Sequence, residues 1–260
     1  MGKVIPFSEI ESYLASIEES DAYKGAILDT NVLISASYDI RDSHSEVVDV
    51  WDLLLQKNYR LFATVNTRSE YLEFQRRLTL TERLLDMVDE FSTVKPPKTA
   101  KAKIQTLKGS LRTSVAADPD KDEIFNESQL KKIKKEFSAG PHSGKSGWLE
   151  ICDSVLGSKI ESEDQALMDR GVEYISPNDH SQKHLFDESL GWPGAISICE
   201  KTGTAFSDSM ILNALKASKL FFTVSLDFDI GYAALGDPNM KDVVVPDRLF
   251  KEYRHYHFPN

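Results

Sequence analysis

A short apolar run that ends in a carboxylate, at residues 25–35 (GAILDTNVLIS), most constrains how this chain can fold. The first apolar residues predict a buried strand, and the residues from Asn31 onward predict a helix start or a tight turn. Asp29 then lies at the carboxyl end of the strand, the edge where ligands bind in open α/β sheets. Because a buried carboxylate is costly unless it is paired, hydrogen-bonded or holding a cation, this position predicts a metal or a cationic partner.

Strand-like and helix-like apolar patterns alternate along much of the chain. Strand-like runs occur at 25–28, 61–65, 171–176, from 220 onward and at 243–245. Helical spacing occurs at 7–22, 44–56, 68–91 and about 194–201. In the second of these helices, Trp51 and Leu55 join the apolar stripe. Strands that alternate with helices predict a parallel sheet.

The Lys-Pro-Pro-Lys segment at 95–98 interrupts this alternation. The stretch that follows contains helical pieces at 100–114, 128–138 and 146–156. We therefore expect an α/β core formed by 1–94 and 166–260, with an N-terminal helix and a C-terminal tail beginning at Lys251. A mainly helical insertion occupies 95–165.

Three further acids follow strand signals or lie near helix starts. Glu70 comes after the run at 61–65, Asp208 precedes an apolar helical run, and Asp227 follows the strand candidate that begins at 220. Taken singly, Asp208 also suits a helix N-cap and Glu70 a first-turn acid, and Asp29 suits a turn or a cap. Their joint order along a strand–helix pattern favours convergence on one edge of one sheet.

These motifs together resemble the PIN-domain nucleases. The resemblance covers roughly 22–92 and 166–246: DTNVLIS, then a Glu that opens a helix, then S-D-x-x-I-x-x-A, then T-x-S-x-D-F. It implies a compact three-layer α/β/α domain with a central parallel sheet. It also implies acids that bind Mg²⁺ or Mn²⁺ and cleave RNA, or less often DNA flaps.

The resemblance assigns catalytic roles to the four acids. Asp29, Glu70 and Asp208 would bind the metal, with Glu73 as a rival to Glu70, and Asp227 would be a further catalytic acid. Hard divalent cations take oxygen ligands, lower the pKa of bound water and bridge phosphate oxygens.

Polar residues beside the acids would support them. Thr30 and Asn31 would orient a carboxylate or a metal-bound water, and Thr223 and Ser225 would act on the opposite side. Ser225 stands where the family often has an acid, which leaves the fourth ligand open.

The charge of the chain is uneven. The net charge of −10 argues against a protein that coats nucleic acid generically, although acids around a metal are compatible with a nuclease. Residues 95–145 hold 12 Lys and Arg against 6 Asp and Glu. Candidate phosphate contacts are Arg68, Arg76, Lys131, Lys132, Lys134 and Lys135. The lysine run also suits a solvated helix face.

Other features indicate a protein of the cytoplasm. The apolar runs are shorter than the roughly 18 residues that cross a membrane, and the N-terminal residues do not resemble a secretory signal. Cys152 and Cys199 have no metal-binding spacing, which suggests a reducing compartment.

The leading hypothesis is a metal-dependent endoribonuclease that takes RNA as substrate. It would be the toxin of a toxin–antitoxin pair, held by an inhibitory protein partner, or an RNA-processing enzyme, and a homodimer is possible by analogy. The alternative is a catalytically weakened PIN-like module that binds RNA or a protein partner. A haloacid-dehalogenase-like phosphatase is disfavoured, because that chemistry needs a second Asp where this chain has Asn31.

Overall fold

The computed structural model describes residues 2–17, 23–88, 96–117, 122–137 and 145–253. The chain forms two compact units. The first comprises Met1–Tyr71 with Met168–Asn260, and the second comprises Leu72–Leu167. The second unit contains the whole predicted insertion, 95–165, and begins 23 residues before it, inside a helix.

The first unit contains a six-stranded sheet whose described strands are all parallel. The strands are β1 (Val4–Pro6), β2 (Gly25–Leu28), β3 (Arg60–Ala63), β4 (Val172–Tyr174), β5 (Phe222–Val224) and β6 (Asp242–Val245). Their order across the sheet is β1-β6-β5-β2-β3-β4. The prediction of an α/β fold with a parallel sheet is confirmed.

Helices connect these strands and make up the described part of the second unit. In chain order they are α1 (Ile10–Ile17), α2 (Thr30–Ser37), α3 (His44–Gln56), α4 (Val65–Asp86), α5 (Lys98–Ala117), α6 (Glu127–Phe137), α7 (Lys145–Leu156), α8 (Lys159–Asp169), α9 (Trp192–Thr202), α10 (Phe206–Ala217), α11 (Phe228–Gly236) and α12 (Asp247–Tyr253). None of these helices has both the length and the apolar composition that crossing a membrane requires.

The strand order reverses between β2 and β5. From β2 the chain moves to β3 and β4 on one side, then returns to β5 and β6 on the other. The carboxyl ends of β2 and β5 therefore flank a topological switch point, where open α/β sheets form a ligand-binding crevice. Asp29 directly follows β2, and Ser225 directly follows β5.

The central strands are apolar on both faces. All four residues of β2 are buried, as are all three of β5, which is typical of a parallel sheet covered by helices. The core around them includes Ile27, Phe62 and Leu212, each fully buried. The second unit has its own core, which includes Leu84, Ile104, Phe125 and Ile133.

Several predicted boundaries are wrong. Helix α4 begins at Val65 rather than near 68, because the hydroxyl of Thr64 accepts from the Thr67 N–H at 3.2 Å and caps the helix. The predicted helix at 7–22 is a 3₁₀ turn at Phe7–Glu9 followed by α1, and 18–22 lie outside the described residues.

The structure also differs from the sequence-based prediction at the C-terminus, in elements that were not predicted and at Leu55. The predicted tail begins within α12, of which Asp247–Tyr253 is described, and 254–260 lie outside the described residues. Strand β1 and the helices α8 and α11 were not predicted. Leu55 is 39% exposed, although Val47, Val50, Trp51 and Leu54 on the same helix are buried as expected.

Candidate functional site

Asp29 is held at the junction of β2 and α2. Its N–H donates to the Val224 carbonyl at 3.0 Å, which extends the pairing of β2 with β5 by one residue. As the N-cap of α2, its Oδ1 accepts from the Thr30 N–H at 2.6 Å. Its Oδ2 accepts from the Ser225 hydroxyl at 2.8 Å. The side chain is 3% exposed, so both oxygens are fixed in a buried position.

The surroundings of Asp29 favour its protonated form. Burial raises the pKa of Asp29 to about 7, and the charges of Asp227 and Asp208 add to the rise, while the bonds from Ser225 and Thr30 oppose it. A group with this pKa is partly protonated near neutral pH. A cation bound beside it would reverse the shift, since an opposite charge favours the ionised form.

Glu70 is joined to Asp29 through Thr30. The Thr30 hydroxyl donates to Glu70 Oε2 at 2.6 Å, while the N–H of the same residue donates to Asp29. Glu70 is exposed and lies in the second turn of α4, so the first-turn interpretation is wrong. Its rival Glu73 instead accepts from Arg76 at 2.8 and 2.6 Å.

Asp208 lies in the first turn of α10. The N-cap of this helix is Ala205, so the capping interpretation of Asp208 is wrong. Burial, then the charges of Asp227, Glu70 and Asp229, raise the pKa of Asp208 to about 6. Carboxylates from three distant parts of the chain therefore repel one another within one region of the first unit.

Asp227 completes this region from the end of β5. It is the N-cap of α11, where its Oδ1 accepts from the Asp229 N–H at 2.8 Å. Its own N–H donates to the Ser225 hydroxyl oxygen at 2.9 Å. Ser225 is fully buried and thus links Asp227 to Asp29. We define Asp29, Glu70, Asp208 and Asp227 as the acidic site.

The other predicted supporting residues differ in their surroundings. Thr223 is fully buried, and its hydroxyl donates to the Ile27 carbonyl at 2.8 Å, so it joins β5 to β2 rather than contacting an acid. Asn31 is half-buried in the first turn of α2.

Two residues near the acids were given no role in the sequence-based prediction. The Ser207 hydroxyl donates to Asp208 Oδ1 at 3.4 Å, and the charge of Asp229 raises the pKa of Asp208. The sequence could have indicated both residues, because Ser207 is next to Asp208 and Asp229 follows Asp227 by two residues.

The predicted phosphate contacts fall into two groups. The guanidinium of Arg68, in the first unit, lies 5.7 Å from the centroid of the Tyr174 ring. Arg76, in the second unit, bonds to both Glu73 and Glu127. Lys131, Lys132, Lys134 and Lys135 are exposed on α6, whose buried residues are Leu130, Ile133 and Phe137.

The donor types of the acidic site suit a hard cation, because carboxylate oxygens are the ligands that Mg²⁺ and Mn²⁺ prefer. Within the described ranges, however, no group of three or more His, Cys, Asp or Glu side chains is placed so that it could hold a metal ion. Comparison with protein-family models, curated proteins and solved structures finds no match to this chain.

Proposed function

We propose that this chain is a metal-dependent endoribonuclease of the PIN type that hydrolyses RNA phosphodiester bonds. Mg²⁺ or Mn²⁺ would be bound by Asp29, Glu70 and Asp208. The observation that supports this most is the convergence of acids at the switch point of a parallel sheet: Thr30 bridges Asp29 and Glu70, and the nearby charge of Asp208 helps to raise the pKa of Asp29. Strongly shifted pKa values in a crevice are typical of functional sites.

Each acid has a feature suited to metal binding. Asp29 is fixed by two hydrogen bonds, Glu70 is held by the Thr30 hydroxyl, and Asp208 stands at a helix N-terminus. Groups that orient ligands in this way set the geometry of a metal site. The bound ion would lower the pKa of a water and stabilise negative charge on the phosphate oxygens.

The chain itself would supply orientation and proton release. Asp29 must lose its proton before it binds a cation, so at metal concentrations that do not saturate the site cleavage should rise with pH through the metal-free pKa of about 7. The Ser225 hydroxyl keeps one oxygen of Asp29 in place throughout. Asp227 adds negative charge beside Asp29 and Asp208, which strengthens the attraction for a divalent cation.

A second candidate function is a weakened PIN-like module that binds RNA or a protein partner without cleaving. Ser225 favours it, because the family often has an acid at this place and the hydroxyl here donates to Asp29. The absence of a ready-made three-ligand group in the described residues also favours it.

The test is cleavage of a pool of single-stranded and structured RNA with Mg²⁺ or Mn²⁺. Wild type, Asp29→Asn and the matched control Asp52→Asn, which replaces an exposed acid on α3, are assayed beside an EDTA sample. The proposal expects cleavage by wild type and the control only. An inert wild type that still binds RNA would instead support the binding module.

A further inference from the structure

A cavity of about 200 Å³ lies beside the carboxyl ends of β3 and β4 in the first unit. Its walls include Asn66 at the start of α4, Ser176 and Asn178 after β4, and Trp192 at the start of α9. The volume is below the roughly 300–1,000 Å³ of sites for drug-sized ligands. A single flat ring system is therefore a suitable occupant.

Solvent-accessible aromatic rings stand at this cavity. Trp192 is 64% exposed and stacks on Phe206, with ring centroids 5.3 Å apart and planes at 12°. Tyr174 lines the same cavity and is 38% exposed, and the Arg68 guanidinium lies over its ring. Exposed aromatic side chains of this kind serve as stacking platforms for the bases of single-stranded nucleic acids.

The polar groups of the cavity suit the edge of a base. The Asn66 and Asn178 amides each offer two N–H donors and a carbonyl acceptor. Unstacked bases in RNA loops and single strands are recognised by such hydrogen bonds together with aromatic stacking. The lining also includes apolar side chains, among them Ile175, Leu190 and Met210. Because a base has apolar faces and a polar edge, it matches both parts of the lining.

Buried amide side chains hold the cavity walls in place. Gln182 Nε2 donates to the Tyr174 carbonyl at 2.7 Å, and Gln182 Oε1 accepts from the Ser176 N–H at 2.8 Å. On the other wall, Asn213 Nδ2 donates to the Gly191 carbonyl at 3.0 Å, next to Trp192. A site that is already ordered loses less entropy when a ligand binds.

The cavity and the acidic site share two helices. Asn66 and Glu70 are four residues apart on α4, which places them on one face about 6 Å apart along the axis. On α10, Phe206 precedes Asp208 by two residues. A base in the cavity would therefore bring its neighbouring phosphodiester towards the acids.

We propose that this cavity binds an unpaired nucleobase of single-stranded RNA, stacked on Trp192 and hydrogen-bonded to Asn66 and Asn178. The link to a cleaved phosphodiester rests on the proposed nuclease function, whereas the base site stands on its own lining. A base within a duplex is excluded, because it is already paired and stacked.

The test measures binding in EDTA, where metal-dependent cleavage cannot interfere. Fluorescence anisotropy of end-labelled RNA compares a single strand, the same strand with its bases removed, and the duplex. The variants are Trp192→Ala, Trp192→Phe and the control Ile40→Ala, which removes a 73% exposed side chain elsewhere. Quenching of tryptophan emission reports directly on Trp192, since Trp51 and Trp148 are only 3% and 8% exposed.

We expect Trp192→Ala to weaken single-strand binding by about 5- to 150-fold, the loss of one stacked base. Trp192→Phe should keep most of the affinity but lose the quenching, and Ile40→Ala should bind like wild type. Equal binding of the base-free strand, or no effect of Trp192→Ala, would overturn the base site. Aromatic peptides can be tested in the same assay, and Trp192-dependent binding of peptides but not of RNA would also overturn the base site.

Failure of the base site and failure of the nuclease are distinguishable. If the Trp192→Ala protein cleaves RNA and keeps the wild-type affinity for single strands, the proposed base site is refuted and the proposed nuclease function is not. If single strands bind in a Trp192-dependent manner but are not cleaved with any divalent cation, the proposed nuclease function is refuted and the base site is not.

Discussion

Replacement of Asp29 by asparagine should stabilise the metal-free protein. Asparagine keeps the shape of the side chain, and its oxygen can accept from the Thr30 N–H. Its amide can donate to the Ser225 hydroxyl oxygen, but the Ser225 hydroxyl hydrogen then loses its acceptor, which costs about 1–3 kcal/mol at every pH. What it removes is a buried negative charge. The pKa of Asp29 is about 7 in place of an ordinary 3.8, and that difference corresponds to about 4 kcal/mol when the group is fully ionised.

The pH dependence of this effect has a definite sign. Between pH 4 and 7 the folded protein holds the Asp29 proton more tightly than the unfolded chain does, so unfolding releases a proton. The contribution of Asp29 to the free energy of unfolding therefore falls as pH rises through this window. The stability of Asp29→Asn relative to wild type should therefore rise by about 3 kcal/mol between pH 5 and pH 8.

The assay is urea unfolding of the metal-free protein from pH 5 to pH 8, followed by circular dichroism, with Asp52→Asn as the control for loss of an exposed acid. Addition of Mg²⁺ or Mn²⁺ at pH 8 should stabilise the wild type more than Asp29→Asn, because the variant keeps Glu70 and Asp208 but lacks the charged carboxylate at position 29. A variant that is less stable than wild type at pH 8 would refute the reasoning, since it would mean that the charge is stabilised where it lies.

Three further changes give distinct results. Ser225→Ala removes the hydroxyl that donates to the carboxylate after β2, and should lower the free energy of unfolding at pH 8 by about 1–3 kcal/mol; wild-type stability in urea would contradict this. Replacing both Lys132 and Lys135 by alanine should reduce the salt dependence of RNA binding by about 0.7 per lost phosphate contact, and an unchanged slope would make them a solvated face. Gly194→Ala puts a Cβ 2.1 Å from an amide oxygen on α10 and should cost about 1–3 kcal/mol in a thermal melt, whereas Gly109→Ala, with open space around it, should not destabilise.

The local part of the fold could be read from the sequence. The run before Asp29 and the apolar stripe of α3 are set by neighbouring residues, so β2, α3 and most of the strand–helix alternation were predicted. Strand β1 was not, because three residues carry no periodic pattern and the strand pairs, among the described residues, with β6, more than two hundred residues away. Leu54 and Leu55 are consecutive leucines that both fit the apolar stripe of α3, and only the packing of this helix decides that Leu54 is the buried one.

The acids of the acidic site could be predicted from the sequence, but the hydrogen bonds that join them could not. Strand-end and helix-start patterns pointed to Asp29, Glu70 and Asp208. The bridging roles of Thr30 and Ser225 depend on contacts between segments 40 and 196 residues apart. The pairing of Arg76 with Glu127 also depends on folding, since 51 residues separate them.

The pairing of β2 with β5 has a consequence for the time at which the acidic site can form during synthesis. Asp29 and Ser225 are separated by 196 residues, which a ribosome adds in roughly 10 to 40 s at about 5–20 residues per second. During that interval the nascent chain carries β2 and β3 but not β5, the strand that directly precedes Ser225 and Asp227. The helices of Leu72–Leu167, whose contacts are closer in sequence, emerge complete before β5 does. The proposed nuclease would therefore be unable to cleave the messenger and ribosome that produce it until its synthesis is nearly finished.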